Sequence, residues 1–203
     1  MTGTAEAFTA AASAASPSLR LDDGRQERMS ILGTEALICY RHDDAEHARR
    51  RAVGAAGIIS SDVLEMLLGL PIGLPVPIRS LTTREAEAVR RAPSGALSLR
   101  DGQVTRHAVT PVTVDLAVVA ARTWRSGLES AGRFAPFCAR AMVLRRRPAD
   151  LAEVRLQAGF YGVGVVLVDG RSAEVLVEPT PFQRHRFTAA GWRFVEQVYR
   201  QSR

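Results

Sequence analysis

Two runs constrain what this chain can fold into more than anything else in it. Val112–Ala121 reads VTVDLAVVAA and Val163–Val168 reads VGVVLV, β-branched and almost wholly apolar over strand length. A strand that is apolar on both faces needs cover on both, which a sheet with parallel neighbours and helices packed across it supplies.

The segments between these runs carry a helical period. After Thr123, the residues Trp124, Leu128, Ala131, Ala135 and Cys138 recur at spacings of four and three, with Arg125, Glu129 and Arg133 on a solvated opposite side as i,i+4 partners. Ala141–Leu144 reads as a short strand ending in Arg145-Arg146-Arg147-Pro148. From about Ala149 to Tyr161 a further helix places Leu151, Val154, Ala158 and Tyr161 on one side and stops at Gly162. Asp169-Gly170 then turns the second apolar run into a strand over Ala173–Val177. Thr188 caps a last helix with Trp192, Val195 and Tyr199 on one face and Val198 beside them. The expected class is α/β (α+β), a mixed central sheet flanked by helices.

The first half is less regular. Residues 1–28 are small and polar and read as a disordered tail; Met1–Ser18 lacks the basic and continuous apolar regions of a secretory signal. Residues 29–94 read as a small, mainly helical N-terminal region. Ile31–Tyr40 fits strand or helix. Asp43 or Asp44 caps a helix that runs into Arg49, Arg50 and Arg51, as the helix dipole favours. Ser60 and Ser61 precede an apolar face of Val63, Leu64, Leu67 and Leu68, which the prolines from Pro71 to Pro77 end. Thr82-x-x-Glu85 has capping-box spacing, with Ala86, Val89 and Ala92 behind it and Pro93 as a stop. Ala96–Leu99 and Gln103–Val109 form a hairpin about Arg100-Asp101-Gly102. Two helices and a hairpin invite comparison with a winged helix-turn-helix, but LPIGLPVPIRS is too long and proline-rich for the turn such a motif needs. Residues 95–203 are left as an α/β core with the C-terminal helix.

A length of 203 residues suits one domain with a small appendage, and 46% hydrophobic with 24% charged residues is ordinary for a folded soluble protein. No apolar run approaches the ~18 residues of a membrane span. All 27 basic side chains are arginine, and neither lysine nor asparagine occurs. Schiff-base chemistry, the Walker A lysine, the kinase strand lysine and the Ser-Lys dyad are thereby excluded. A GC-rich, bacterial genome accounts for that bias. Cys39 and Cys138 have no metal or CxxC spacing and read as buried thiols of a cytoplasmic protein.

The run VVAARTWRSGLESAGRFAPFCARAMVL, followed by a helix and GVGVVLVDGRSAEVLVEP, resembles the core of restriction-endonuclease-like proteins of the PD-(D/E)xK class over roughly residues 95–180. In that family a strand carries Glu-x-Lys, a basic-aromatic step leads into a helix, and a glycine-bracketed strand with a hairpin closes the sheet. The resemblance puts Glu-x-Lys at Val118 and Ala120 of this chain. Valine and alanine can neither hold Mg²⁺ nor activate water, and arginine stays protonated and cannot act as a base. The resemblance therefore implies a degenerate core, a pseudo-nuclease without catalytic residues or cofactor. The enzymatic alternative is an unorthodox Mg²⁺ site built from Asp115 with Glu129 or Glu153.

Other chemistry finds little footing. His107 and His185 lack partners, and His42 and His47, five apart, do not share a helical face, so each reads as a surface histidine. There is no G-x-S-x-G elbow, and Gly159, Gly162 and Gly164 form no nucleotide loop. The remaining signal is the +6 net charge and the guanidinium groups of Arg122, Arg125, Arg145, Arg146, Arg147, Arg184 and Arg186, with Phe182 and Phe187 as stacking faces. Trp192, Phe194 and Tyr199 fit core packing or a homodimer or partner interface. The expected role is regulatory, by binding DNA or other nucleic acid or a protein partner without membrane attachment; a pure protein-protein interaction module is the other alternative.

Overall fold

In a computed structural model, which describes residues 24–169 and 172–202 together with Ala12 and Ala14, both apolar runs are strands of one sheet. In chain order the elements are β1 (Arg25–Ile31), β2 (Thr34–His42), α1 (Asp44–Ala52), α2 (Ser61–Gly69), β3 (Pro75–Pro77), a 3-10 turn (Ile78–Ser80), α3 (Thr83–Arg91), β4 (Leu97–Arg100) and β5 (Gln103–Arg106). Then come β6 (Val112–Ala121), α4 (Trp124–Gly132), β7 (Ala139–Leu144), α5 (Leu151–Phe160), β8 (Val163–Asp169), β9 (Ser172–Val177) and α6 (Ala189–Gln201). The larger sheet is six-stranded and mixed, ordered β1-β2-β6-β7-β8-β9, and the smaller is three-stranded, ordered β3-β5-β4. Most of the N-terminal tail expected over residues 1–28 lies outside the described residues.

The chain forms two compact units, residues 1–41 with 114–184 and residues 42–113 with 185–203. In the first, β6 pairs with β7 and β7 with β8 in parallel, and β9 returns antiparallel to β8. Leu37, Cys39, Leu116, Val118, Ala141, Val143 and Val166 pack into one buried cluster, so β6 and β8 are covered as their composition requires. Thr123 caps α4 and Asp150 caps α5, each accepting a backbone N–H of the first turn. Gly127 brings α4 close to the sheet: a Cβ there would lie 3.0 Å from that of Ala121 and 3.2 Å from that of Met142.

The structure departs from the sequence expectation in three places here. The helix after Thr123 ends at Gly132, before Ala135 and Cys138, and the residues that follow are turns that bury Phe134. Tyr161, expected on the apolar side of its helix, is 53% exposed, since the helix ends at Phe160 and Gly162 takes φ +64°. Arg25–Arg28 belong to β1, paired antiparallel with β2. Main-chain pairing, not an apolar period, orders those residues.

In the second unit, α2 packs with α3 and α6, and its Val63, Leu64, Met66 and Leu67 are buried. Trp192, Phe194, Val195, Val198 and Tyr199 of α6 are all buried. Thr82 and Glu85 form a reciprocal capping box at α3, with the Thr82 N–H donating to Glu85 Oε2 at 2.8 Å. The β4–β5 hairpin turns at Asp101 and Gly102, with φ of 50° and 71°. The proline-rich stretch supplies β3, an edge strand paired only with β5, where prolines are tolerated for want of an N–H. Arg106, the last residue of β5, is buried, donating to the carbonyls of Ala108, Leu67 and Leu70 and lying 4.7 Å from the Trp192 ring centroid. No helix among the described residues is long and apolar enough to cross a membrane.

Candidate nucleic-acid interface

Parallel strands end at a common edge, and the helices that follow them start there. The register pairs Ala121 with Leu144 at the ends of β6 and β7, so Arg122 and Arg145 are the next residue on each strand. Arg146 and Arg147 continue from Arg145. Arg125 lies in the first turn of α4, which Gly127 seats against Ala121 and Met142. Thus Arg122, Arg125, Arg145, Arg146 and Arg147 collect at the carboxyl-terminal edge of the parallel strands, all exposed. In open α/β sheets this is the edge at which ligands bind.

Acidic residues share the edge. Arg125 lies 4.2 Å from the Trp124 ring centroid and donates to Glu153 Oε1 at 3.4 Å. Arg147 pairs with Glu174 of β9. Both pairs are exposed, and exposed pairs contribute only about 0–1 kcal/mol, so phosphate oxygens compete with them on even terms.

Arg184 is exposed in the first unit and Arg186 is exposed in the second. Phe182 packs on the first unit's core, and the Phe187 ring lies 5.8 Å from that of Trp192, so both expected stacking faces are partly covered. Trp192, Phe194 and Tyr199 are 0–2% exposed and fill the interior of the second unit; the surface expected of them as an interface is not presented.

Asp115 faces a different neighbour. Its carboxylate takes two hydrogen bonds from Arg41, from Nε at 3.0 Å and Nη2 at 2.8 Å. It lies six residues before the end of β6, about 20 Å along the strand. Glu129 is exposed on α4, and Glu153 is held at the far edge by Arg125. The structure does not gather these three carboxylates, and among the described residues no group of three His, Cys, Asp or Glu is placed to hold a metal. Val118 is fully buried and Ala120 is exposed.

A cluster in the second unit escaped the sequence reading. His42 ends β2, and His47 lies in the first turn of α1, after the cap formed by Asp43. Their rings meet at 4.9 Å, each contacts Tyr199 at 5.8 Å, and His47 Nδ1 is 3.1 Å from the Tyr199 hydroxyl. Both histidines are half-buried rather than on the surface, because the strand-to-helix turn folds residues five apart onto each other. His107 bonds the Ser98 hydroxyl at 2.9 Å, and His185 is exposed.

Against protein-family models, curated proteins and solved structures, the chain shows no significant match.

Proposed function

We propose that the chain is a non-catalytic, nuclease-like regulatory protein that binds nucleic acid through the arginines at the carboxyl-terminal edge of β6 and β7. The first unit serves as a restriction-endonuclease-like core, with α1, α2 and α3 as its helical appendage. The order strand, helix, parallel strand, helix, parallel strand and returning strand over β6–β9 supports that core. The observation that carries the binding role is the register that sets Arg122 beside Arg145, with Arg125, Arg146 and Arg147 around them. Loss of catalysis rests on Val118, sealed in the core where a metal-binding glutamate is needed, and on Asp115, whose oxygens are both occupied by Arg41.

Fluorescence anisotropy with duplex and single-stranded oligonucleotides tests this across a salt series. Each phosphate contact adds about 0.9 to the slope of log affinity against log salt on duplex DNA. A variant carrying Arg145→Ala and Arg146→Ala should lose about two contacts' worth of slope. Absence of salt-dependent binding even at low ionic strength sinks the nucleic-acid role and leaves a protein partner. Plasmid cleavage with Mg²⁺ or Mn²⁺ that disappears in Asp115→Ala sinks the non-catalytic reading.

A further inference from the structure

Arg140 stands apart from the arginines of the proposed interface. It is the second residue of β7, in register with Val163 at the start of β8, and so lies at the opposite end of its strand from Arg145. There it lines a cavity of about 260 Å³ with Phe160, Tyr161, Thr180, Phe182 and Gln183. The cavity is shaped by Gly162 at φ +64°, whose carbonyl accepts from the Thr180 N–H at 3.3 Å and ties the segment after β9 to the end of α5.

The charge of Arg140 is poorly answered by the protein. Its Nη2 donates to the Tyr161 carbonyl, its Nε is buried without a hydrogen-bond partner, and no carboxylate pairs with it among the described residues. Other inward-facing arginines are answered: Arg50 meets two carboxylates, and Arg106 meets three carbonyls and the face of Trp192. Burial pulls the Arg140 pKa below the usual arginine value, yet a guanidinium remains protonated at any physiological pH. A half-buried cation without a counter-charge is costly, and an anion in the cavity relieves that cost. The rim adds apolar surface. Phe160 and Tyr161 are 81% and 53% exposed and meet edge to face at 5.0 Å, while Phe182 is anchored on the core.

We propose that this cavity binds a small aromatic carboxylate, with its carboxylate on the Arg140 guanidinium and its ring among Phe160, Tyr161 and Phe182. A planar carboxylate matches the guanidinium fork. The volume lies just below the lower end of ligand pockets, about 300 Å³, which fits one ring system. The site is at the other end of β7 from the proposed nucleic-acid contact and does not depend on it.

Calorimetric or saturation-transfer titration of the full chain with benzoate and indole-3-carboxylate tests the proposal, with uncharged benzamide and inorganic phosphate in parallel. Saturable carboxylate binding is expected, with benzamide and phosphate each weaker by about tenfold or more. Arg140→Gln should lose at least about tenfold. Phe160→Ala, at an exposed position that leaves the fold intact, should weaken binding several-fold. The proposal is overturned if benzamide matches benzoate, if no saturation is reached by about 10 mM carboxylate, or if a folded Arg140→Gln protein binds as the wild type does. Tight phosphate binding without a ring requirement also overturns it. Should Arg140→Gln fail to fold, the ratio of benzoate to benzamide and the Phe160→Ala result decide the matter.

Discussion

Glu196 accepts two parallel hydrogen bonds from Arg50, Nη1 to Oε2 at 2.8 Å and Nη2 to Oε1 at 2.7 Å, with both side chains sealed inside the second unit. The same carboxylate takes the Ile58 N–H on Oε2 and the Trp192 indole N–H on Oε1, each at 3.0 Å. Both oxygens are therefore fully used by four donors. Glutamine at this position would present an NH₂ to two of those donors and remove a buried counter-charge. Glu196→Gln is expected to cost about 3–5 kcal/mol, read as a fall in the urea unfolding midpoint. A loss below about 1 kcal/mol would show that the pair adds little.

Arg50 also donates to Glu46 from Nε at 2.6 Å, and Arg49 grips the same carboxylate through Nε and Nη2. Burial alone would raise the Glu46 pKa, but the hydrogen bonds and charges of Arg49 and Arg50 outweigh it and hold the carboxyl below its usual range. The unfolded chain binds this proton near pH 4.3 while the folded chain does not, so stability rises with pH across that interval. The contribution is present above about pH 4.3 and is lost as the pH falls through the folded value. Urea unfolding of wild type and Glu46→Gln between pH 6 and 3, an interval spanning about 4.3, should give a shallower acid slope for the variant. Equal slopes would exclude Glu46 as a source of acid lability.

The elements legible in the sequence were those whose signals are local. The capping box at Thr82 and Glu85, the Asp101-Gly102 turn and the apolar runs of β6 and β8 all formed as their residues require. The β1–β2 hairpin gave no such signal. It turns at Leu32, with φ 55°, and Gly33, and Arg133, the residue just after α4, donates to both carbonyls at 3.3 and 3.2 Å. A leucine in a left-handed turn held by a residue remote in sequence cannot be read from its neighbours. The same holds at the candidate sites. Arg145–Arg147 at a strand end were visible as a run, whereas their adjacency to Arg122 needs the β6–β7 register, and the Arg140 cavity needs the segment after β9 folded back on Gly162. Sequence order places the last helix with residues 95–203, whereas in the structure α6 packs with α2 in the second unit, a long-range choice that periodicity does not encode.

Gly127 illustrates two opposed effects at one helix position. Glycine to alanine inside an exposed helix gains up to about 1 kcal/mol. Here the new methyl would stand 2.3 Å from Met142 Sδ, 3.0 Å from Ala121 Cβ and 3.2 Å from Met142 Cβ. The thioether can swing away only within a filled interior, and the two Cβ atoms are fixed by strands. Overpacking wins, and Gly127→Ala should destabilise by about 1–3 kcal/mol in a thermal melt. An unchanged or raised melting temperature would mean that α4 moves off the sheet freely.

Cys39 and Cys138 are free, buried thiols. Burial, and secondarily the charge of Asp115, pushes Cys39 up to about 12, and burial likewise raises Cys138. The reactive thiolate is therefore almost absent in the folded chain. At pH 8, below the free-thiol value of about 8.5, a disulfide reagent should label neither cysteine faster than the chain unfolds, and should label both at once in denaturant. Because the folded pKa lies above the unfolded value, the stability that depends on a neutral thiol is whole below about pH 8.5 and declines as the pH rises toward the folded value. Cys39→Ala should flatten that alkaline decline, whatever its effect on absolute stability. Prompt labelling of either thiol in native buffer would show that the sheet around β2 and the turn after α4 open far more readily than their packing implies.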